Sequence, residues 1–286
     1  MTVTSGRRID QPLCLPPPNV FIGRTRAGLE SDREFTLKAN RALHKSRSSR
    51  LKDFLRDRWS PEGVLGLHLT VGLLVLVLAT WLFASIAEDV VNRESLTVID
   101  VNVSNAIHNQ ATKPLTVAML VVSTIHNTVG TTVIALIITL LLVLRRLRYW
   151  ALAFALSVYG GMLLNALLKS IFQRARPHFD EPIVTLTSYG FPSGHTMMAT
   201  TLYGALCAFV ISRVQSWLWR VVAIIAATFL IALVGFSRIY LGAHYLSDVL
   251  AAMVEALFWL ALCLTAVDTM QRWKNERGKS GEPGNV

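Results

Sequence analysis

The sequence predicts an all-α integral membrane protein: a bundle of six transmembrane helices preceded by a cytoplasmic N-terminal extension. Of its 286 residues, 52% are hydrophobic and only 16% are charged, whereas soluble domains have about 25% charged residues. Six apolar runs approach or reach the ~20 residues that a helix needs to cross a bilayer. We expect a basic tail at 1–60, a six-span domain at 61–268 and a cytoplasmic C-terminal tail at 269–286.

The N-terminal tail is polar and strongly basic. Residues 1–60 contain 13 Lys or Arg and six Asp or Glu, and so account for most of the formal net charge of +10. The part before residue 28 is predicted to be disordered, and residues 30–59 to form an amphipathic surface helix. The sequence has no cleavable signal-peptide pattern. A basic flank beside a membrane span explains the charge, and no motif or aromatic interleaving supports binding to nucleic acid.

Six apolar runs are the candidate spans. Their approximate bounds are Val64–Ile86, Val129–Leu144, Tyr149–Ile171, Thr196–Ile211, Leu218–Phe236 and Leu246–Val267. The second and fourth are short, but each can extend into neighbouring residues. The segment Pro114–His126 is apolar but has only 13 residues. We interpret it as an interfacial or re-entrant helix, or as an extension feeding the second span; a full crossing there would reverse the sidedness of everything downstream.

The distribution of Lys and Arg gives the orientation, because cytoplasmic segments of membrane proteins are enriched in both. With six spans and the N-terminus inside, the inner segments contain 22 of these residues and the outer segments six. Both termini are therefore predicted to be cytoplasmic, in the inner or plasma membrane. Four of the six outer cations fall in two of three polar stretches, and all three stretches are predicted to face the periplasm or the exterior.

These three polar stretches lie at predicted span ends. They are Lys169–Pro177 (KSIFQRARP), Pro192–His195 (PSGH) and Ser237–Asp248 (SRIYLGAHYLSD). Ionisable side chains at the edge of hydrocarbon are costly, so they mark a candidate functional site. In the third stretch His244 and Asp248 are four residues apart. This spacing places both side chains on one face of a helix that begins near His244.

The three stretches resemble the three-part signature of the type 2 phosphatidic acid phosphatase and vanadium haloperoxidase superfamily. Lys, six residues and Arg-Pro come first, then Pro-Ser-Gly-His, then Ser-Arg, five residues, His, three residues and Asp. All defining positions match in order, over a region from about Val64 to Val267. With six predicted spans, the resemblance points to the membrane lipid phosphatase branch.

The cations of the three stretches suit a phosphate ester. Arginine pairs phosphate oxygens two at a time and lysine adds a point charge, so Lys169, Arg176 and Arg238 are predicted to bind the phosphate. Lys169 and Arg176 are seven residues apart, and would share one face of a helix that continues to Pro177. Arg174 either adds to the phosphate site or faces the lipid headgroups.

The second stretch and the two histidines complete the predicted site. Ser193 and the backbone N–H groups of Gly194 and His195 are expected at a helix N-terminus, which binds anions. Two imidazoles titrate near neutral pH, and spacing alone does not say which one attacks phosphorus. The resemblance implies that His244 is the nucleophile, forming a phosphohistidine, and that Asp248 orients it. It also implies that His195 protonates the leaving oxygen and then activates water.

No cofactor and no metal is expected at this site. The motifs supply two histidines but only one carboxylate, beside three cations that would repel a divalent ion. The cysteines Cys14, Cys207 and Cys263 are scattered, without the paired spacing of a disulfide framework or a zinc site.

The predicted function is metal-independent hydrolysis of a lipid phosphomonoester or diphosphate, with the bilayer and the lipid as partners. Candidate substrates are phosphatidic acid, phosphatidylglycerol phosphate, undecaprenyl diphosphate and lipid A phosphates. The signature does not separate them, although an outward-facing bacterial site favours the polyprenyl carrier. Alternatives are a lipid-linked phosphotransferase, a vanadate-dependent haloperoxidase and a non-catalytic phosphate-binding membrane protein. The haloperoxidases of the superfamily are soluble, and the complete catalytic set argues against binding alone.

Overall fold

The computed structural model describes residues 67–280, with side chains from 70 to 275, as helices joined by short turns and one long loop. The helices are α1 (Leu67–Asn92), α2 (Ser95–His108), α3 (Lys113–Ile125), α4 (Thr128–Leu144), α5 (Arg148–Phe172), α6 (Gly194–Arg213), α7 (Trp217–Tyr240) and α8 (Leu246–Ser280). No strand occurs in this range, so the prediction of an all-α protein is confirmed here. The predicted basic tail, with its disordered part and its surface helix, lies outside the described residues.

Five of the described helices, α1, α5, α6, α7 and α8, are long and apolar enough to cross a membrane. Helices α3 and α4 pass this test only as a pair, and the pair is bent by 51°. The described chain therefore has five candidate spans, or six if the bent pair is one span. The break follows from a local cap: the Asn127 side chain accepts the Gly130 N–H at 2.8 Å and starts a new helix. The doubtful segment Pro114–His126 is thus a separate short helix that leads directly into α4.

Large apolar side chains cover the outward faces of the long helices. Trp81 in α1, Val129 in α4 and Trp217 in α7 are 65%, 70% and 76% exposed. Apolar surface on this scale, on helices that satisfy their own backbone hydrogen bonds, is suited to lipid and not to water. The chain is a multi-pass membrane protein.

The core is organised around α8, which packs against α1, α2, α5, α6 and α7. Its inner face carries Ala251, Ala252 and Ala256, all 0% exposed, and small residues let neighbouring helices approach closely. The π-helical turn Leu156–Gly160 in α5 is one such approach. A Cβ on Gly160 would lie 2.6 Å from the Trp259 ring, whose Nε1 donates to the Leu156 carbonyl at 3.0 Å. This contact holds α5 close to α8 within the bundle.

Candidate active site

Four helix ends and the loop 173–193 converge at one end of the bundle, and the eight predicted site residues lie there. Lys169 is in the last turn of α5, Arg176 in the loop, Ser193, Gly194 and His195 at the start of α6, Arg238 in the last turn of α7, His244 in the turn before α8, and Asp248 in the first turn of α8. Three segments separated in sequence thus form one polar cluster in an otherwise apolar bundle.

The first stretch does not form a continuous helix. Helix α5 ends at Phe172, because Gln173 adopts the left-handed conformation with φ 45°. The predicted shared helix face of Lys169 and Arg176 is therefore wrong, and Pro177 does not end the helix. The loop brings both side chains together instead: Lys169 Nζ and Arg176 Nη2 each donate to the Tyr189 carbonyl at 3.0 Å.

Arg176 connects the loop to His244. Its Nε donates to the Ser188 carbonyl at 2.6 Å, and its Nη1 donates to the Ala243 carbonyl at 2.6 Å. The same Nη1 lies 3.0 Å from His244 Nε2. Burial lowers the pKa of Arg176, and the charge of Asp248 opposes that shift. Because a guanidinium only donates, this contact makes Nε2 the acceptor and assigns the ring proton to Nδ1.

His244 is almost fully buried, with 2% of its surface exposed. It lies two residues before α8, but its Nδ1 is still 3.5 Å from Asp248 Oδ2, so the four-residue spacing brings the pair together as predicted. At that distance the contact is longer than a good hydrogen bond. Burial lowers the pKa of His244 to about 4, with Asp248 opposing the shift. The imidazole is therefore neutral near pH 7, and its Nε2 lone pair accepts from Arg176.

The second stretch begins α6, as predicted. Ser193 is the N-cap residue, with φ −72° and ψ 112°, and is fully buried. Its N–H donates to the Asp248 carbonyl at 3.0 Å, which ties the second stretch to the third. His195 follows in the first turn, partly exposed. The cations Lys169, Arg176 and Arg238 all act on its imidazole. The N–H groups of Gly194 and His195 belong to the helix start, where the helix itself provides no acceptor.

Arg238 is buried, with only 3% of its surface exposed. Its Nη1 donates to the Ser123 hydroxyl of α3, and its backbone carbonyl accepts the N–H groups of Ala243 and His244 at 3.0 and 3.2 Å. Arg238 therefore fixes the turn that carries His244, and links α3 to the cluster.

Two residues of the cluster were not assigned from the sequence. Arg174, whose role was left open, lies between Asp248 at 2.5 Å and Asp100 of α2 at 2.8 Å. Asp100 was not considered, because it belongs to no motif and lies more than 60 residues before the first polar stretch. The only signal in the sequence was an acidic residue within the apolar run of α2. In residues 70–275 there is no group of three His, Cys, Asp or Glu side chains placed to hold a metal ion.

Comparisons with known proteins point to one family. Residues 149–272 match the family model described as the PAP2 superfamily, and this range contains all eight predicted site residues but not Asp100 or Ser123. Phosphatidylglycerophosphatase B of Bacillus subtilis is 35% identical over 130 residues, which are 44% of this chain and 63% of that protein. An undecaprenyl-diphosphatase of Sulfolobus acidocaldarius is 32% identical over 116 residues, which are 39% of this chain and 52% of that protein. The chain thus spans less than two thirds of the length of these relatives.

The fold also resembles a solved structure. The crystal structure of a transmembrane PAP2 type phosphatidylglycerolphosphate phosphatase from Bacillus subtilis aligns with a TM-score of 0.61 and 26% identity. The alignment covers 66% of this chain and 94% of that chain. The helical bundle around the cluster is therefore an arrangement already seen in a membrane protein.

Proposed function

We propose that this protein, whose residues 149–272 match the PAP2 superfamily model, hydrolyses phosphomonoesters or diphosphates of membrane lipids through a phosphohistidine. One set of contacts carries the proposal. Arg176 lies 3.0 Å from His244 Nε2, and the other ring nitrogen faces Asp248 at 3.5 Å. A phosphate-binding cation, a neutral nucleophile and an orienting carboxylate are thus in direct contact.

The substrate phosphate is bound by cations and backbone donors. Lys169, Arg176 and Arg238 neutralise its oxygens. The N–H groups of Gly194 and His195, at the start of α6, add the donors of a helix N-terminus. Ser193 occupies the N-cap position of α6, and its buried N–H is already bonded to the Asp248 carbonyl. When phosphate takes the donors of Arg176, the Nε2 lone pair of His244 becomes free to attack.

In the first step, His244 Nε2 attacks phosphorus and the bond from phosphorus to the leaving oxygen breaks. His195 gives its proton to that oxygen, so the lipid alcohol, or the lipid monophosphate of a diphosphate substrate, leaves with that oxygen protonated. The ring of His244 gains positive charge, which the carboxylate of Asp248 balances from the Nδ1 side.

In the second step, His195 takes a proton from water and the water oxygen attacks the phosphohistidine. The P–N bond breaks, its electron pair returns to Nε2, and inorganic phosphate leaves. Each proton lost by His195 in the first step is thereby regained. A positioned acid and base of this kind contributes roughly 10²–10⁴ in rate.

The proposed topology places the site at the outer leaflet. The bent pair α3–α4 counts as one span, which gives six spans, and the Lys and Arg distribution puts both termini in the cytoplasm. The chain then consists of a cytoplasmic tail at 1–60, the six-span domain at 61–268 and a cytoplasmic C-terminal tail at 269–286. Lipid substrates reach the site by lateral diffusion. The relatives named for phosphatidylglycerophosphate and undecaprenyl diphosphate support a lipid-linked phosphate as the substrate class.

A substrate panel tests the proposal. The purified protein, in detergent and in vesicles, is given phosphatidic acid, phosphatidylglycerol phosphate, undecaprenyl diphosphate or lipid A, and released phosphate is measured. We expect release from at least one lipid without any acceptor. The His244→Ala variant should lose at least about 10³-fold in kcat, as expected when a covalent nucleophile is removed, whereas His178→Ala on the exposed loop should keep its activity.

Three results would overturn this assignment. Phosphate transfer that requires an added lipid or sugar acceptor would identify a phosphotransferase. Halide oxidation with peroxide and vanadate, without phosphate release, would identify a haloperoxidase. No turnover of any lipid, with phosphate binding retained, would identify a binding protein.

A further inference from the structure

Asp100 reaches the active site from outside the matched PAP2 domain. It lies in the middle of α2 with 0% of its surface exposed. Its Oδ1 accepts the Ser247 N–H at 2.8 Å and its Oδ2 accepts the Ser247 hydroxyl at 2.5 Å. Burial of a carboxylate is costly unless it is paired and hydrogen-bonded. Asp100 is therefore a fixed anion, held against the first turn of α8.

Arg174 joins Asp100 to Asp248. Its Nη2 lies 2.8 Å from Asp100 Oδ2, and its Nη1 lies 2.5 Å from Asp248 Oδ1. The guanidinium carbon also lies 4.6 Å from the centre of the Tyr245 ring, which restricts the side chain further. Burial by itself lowers the pKa of Arg174, but the charges of Asp248 and Asp100 outweigh burial and raise it. The bridge between the two acids is thus permanently cationic.

The Arg174 side chain, which bridges Asp100 and Asp248, fixes the rotation of the Asp248 carboxylate. Oδ1 is taken by Arg174, while Oδ2 accepts the Tyr245 N–H at 2.9 Å and faces His244 Nδ1. Because a carboxylate turns as one unit, the position of Arg174 determines which oxygen faces the imidazole. We propose that Asp100 is a positioning residue of the phosphatase reaction: by holding Arg174 and Ser247, it fixes Asp248 and thereby the direction of the His244 lone pair. This inference rests on the proposed function.

The same cluster sets the charge behind His244. The charged groups that act directly on its imidazole are Asp248, Arg176 and Arg238, with His195 nearby. Asp100, Arg174 and Asp248 together carry a formal charge of −1, from two carboxylates and one guanidinium. The Asp100→Asn variant makes this sum zero, which disfavours the imidazolium and lowers the pKa of His244. The Arg174→Gln variant makes it −2, which raises that pKa.

The test compares three variants of the full-length protein in detergent, using whichever lipid the unchanged protein turns over best. Asp100→Asn should lower kcat about 10- to 100-fold with little change in KM, the usual cost of losing a group that orients a functional histidine in metal sites. The acid limb of its kcat/KM profile should move down by about half a pH unit or more, and that of Arg174→Gln should move up. Asp268→Asn, which removes another carboxylate–arginine pair at 2.8 Å in the C-terminal half of α8, is the matched control and should change neither quantity.

The outcomes are separable. No phosphate release by the unchanged protein overturns the proposed function, and this inference falls with it. An active protein whose Asp100→Asn variant keeps both kcat and the acid limb overturns the inference alone. If kcat falls but the acid limbs of the Asp100→Asn and Arg174→Gln profiles do not move in opposite directions, Asp100 is merely structural. That result also overturns the inference. If Asp100→Asn does not fold, Arg174→Lys replaces it: a single ammonium cannot bind two carboxylates through separate nitrogens, so full kcat in that variant refutes the positioning role.

Discussion

The Gly242→Ala variant should destabilise the turn that carries His244. Gly242 has φ +68°, and an L residue in the left-handed region costs about 1–2 kcal/mol. The added Cβ would lie 2.8 Å from Cε2 of Phe179. That ring cannot move freely, because it stacks on His108 at 4.0 Å with an interplanar angle of 13°. Overpacking of this kind costs about 1–3 kcal/mol, so the expected total is about 2–5 kcal/mol.

Activity should fall as well, because Gly242 is two residues from the proposed nucleophile. The turn is held by the Arg238 carbonyl, which accepts the N–H groups of Ala243 and His244. A shift of about 1 Å in a reacting group can cost about 10²-fold in rate. Thermal unfolding in detergent measures the stability change, and phosphate release measures kcat.

The Phe179→Ala background separates the two contributions. There the clash is absent, so Gly242→Ala should cost only the left-handed contribution of about 1–2 kcal/mol. An equal cost in both backgrounds would show that the ring contact does not matter. A Gly242→Ala protein with unchanged stability and kcat would refute the reasoning altogether.

Four further predictions concern the site and its surroundings. Burial lowers the pKa of His244 to about 4. A rate that needs the neutral imidazole should therefore persist as the pH falls from 7 to about 5, and be lost near pH 4. The measurement is kcat/KM against pH, with the ionisation of the substrate determined separately. Activity should survive EDTA, because Arg174 already occupies both buried carboxylates of the site. In intact cells, a membrane-impermeant thiol reagent should label an Asp180→Cys variant lacking its native cysteines. The Asn165→Ala variant should cost about 1–3 kcal/mol in thermal unfolding, because it removes the 2.9 Å bond to the buried Glu255 carboxyl.

Each of these has a contrary result. If the acid limb of the kcat/KM profile lies near pH 6.5, burial does not control the protonation of His244. Loss of activity in EDTA that zinc or magnesium restores would contradict a metal-free site. Labelling only after permeabilisation would place the loop 173–193 in the cytoplasm, and the pair α3–α4 would then cross twice. An Asn165→Ala/Glu255→Leu double variant as unstable as the sum of the single variants would show that the two side chains do not interact.

The spans were readable because hydropathy is a property of local segments. The predicted run Tyr149–Ile171 corresponds to α5, and Leu218–Phe236 lies within α7. The bent pair α3–α4 was harder to predict. A 13-residue apolar helix has the composition of either a surface segment or half of a membrane span. Sequence left both forms open, and the structure gives a bend of 51°.

The motif residues were found because their spacing is itself the signal. The four-residue spacing of His244 and Asp248 brings them together even though α8 begins only at Leu246. The spacing of Lys169 and Arg176 gave a wrong prediction of a shared helix face. One left-handed residue, Gln173, ends the helix between them. A single backbone conformation at a helix end depends on what the following loop contacts, and periodicity does not report those contacts.

Sequence by itself determined the membrane class, the helical content and the residue types available for chemistry, since all three depend on local composition and spacing. Tertiary structure alone decided that Asp100 of α2 joins the cluster and that Arg174 divides its charge between two acids. Those contacts join segments more than 70 residues apart. Only the packing of α2 against α8 brings such segments within hydrogen-bonding distance.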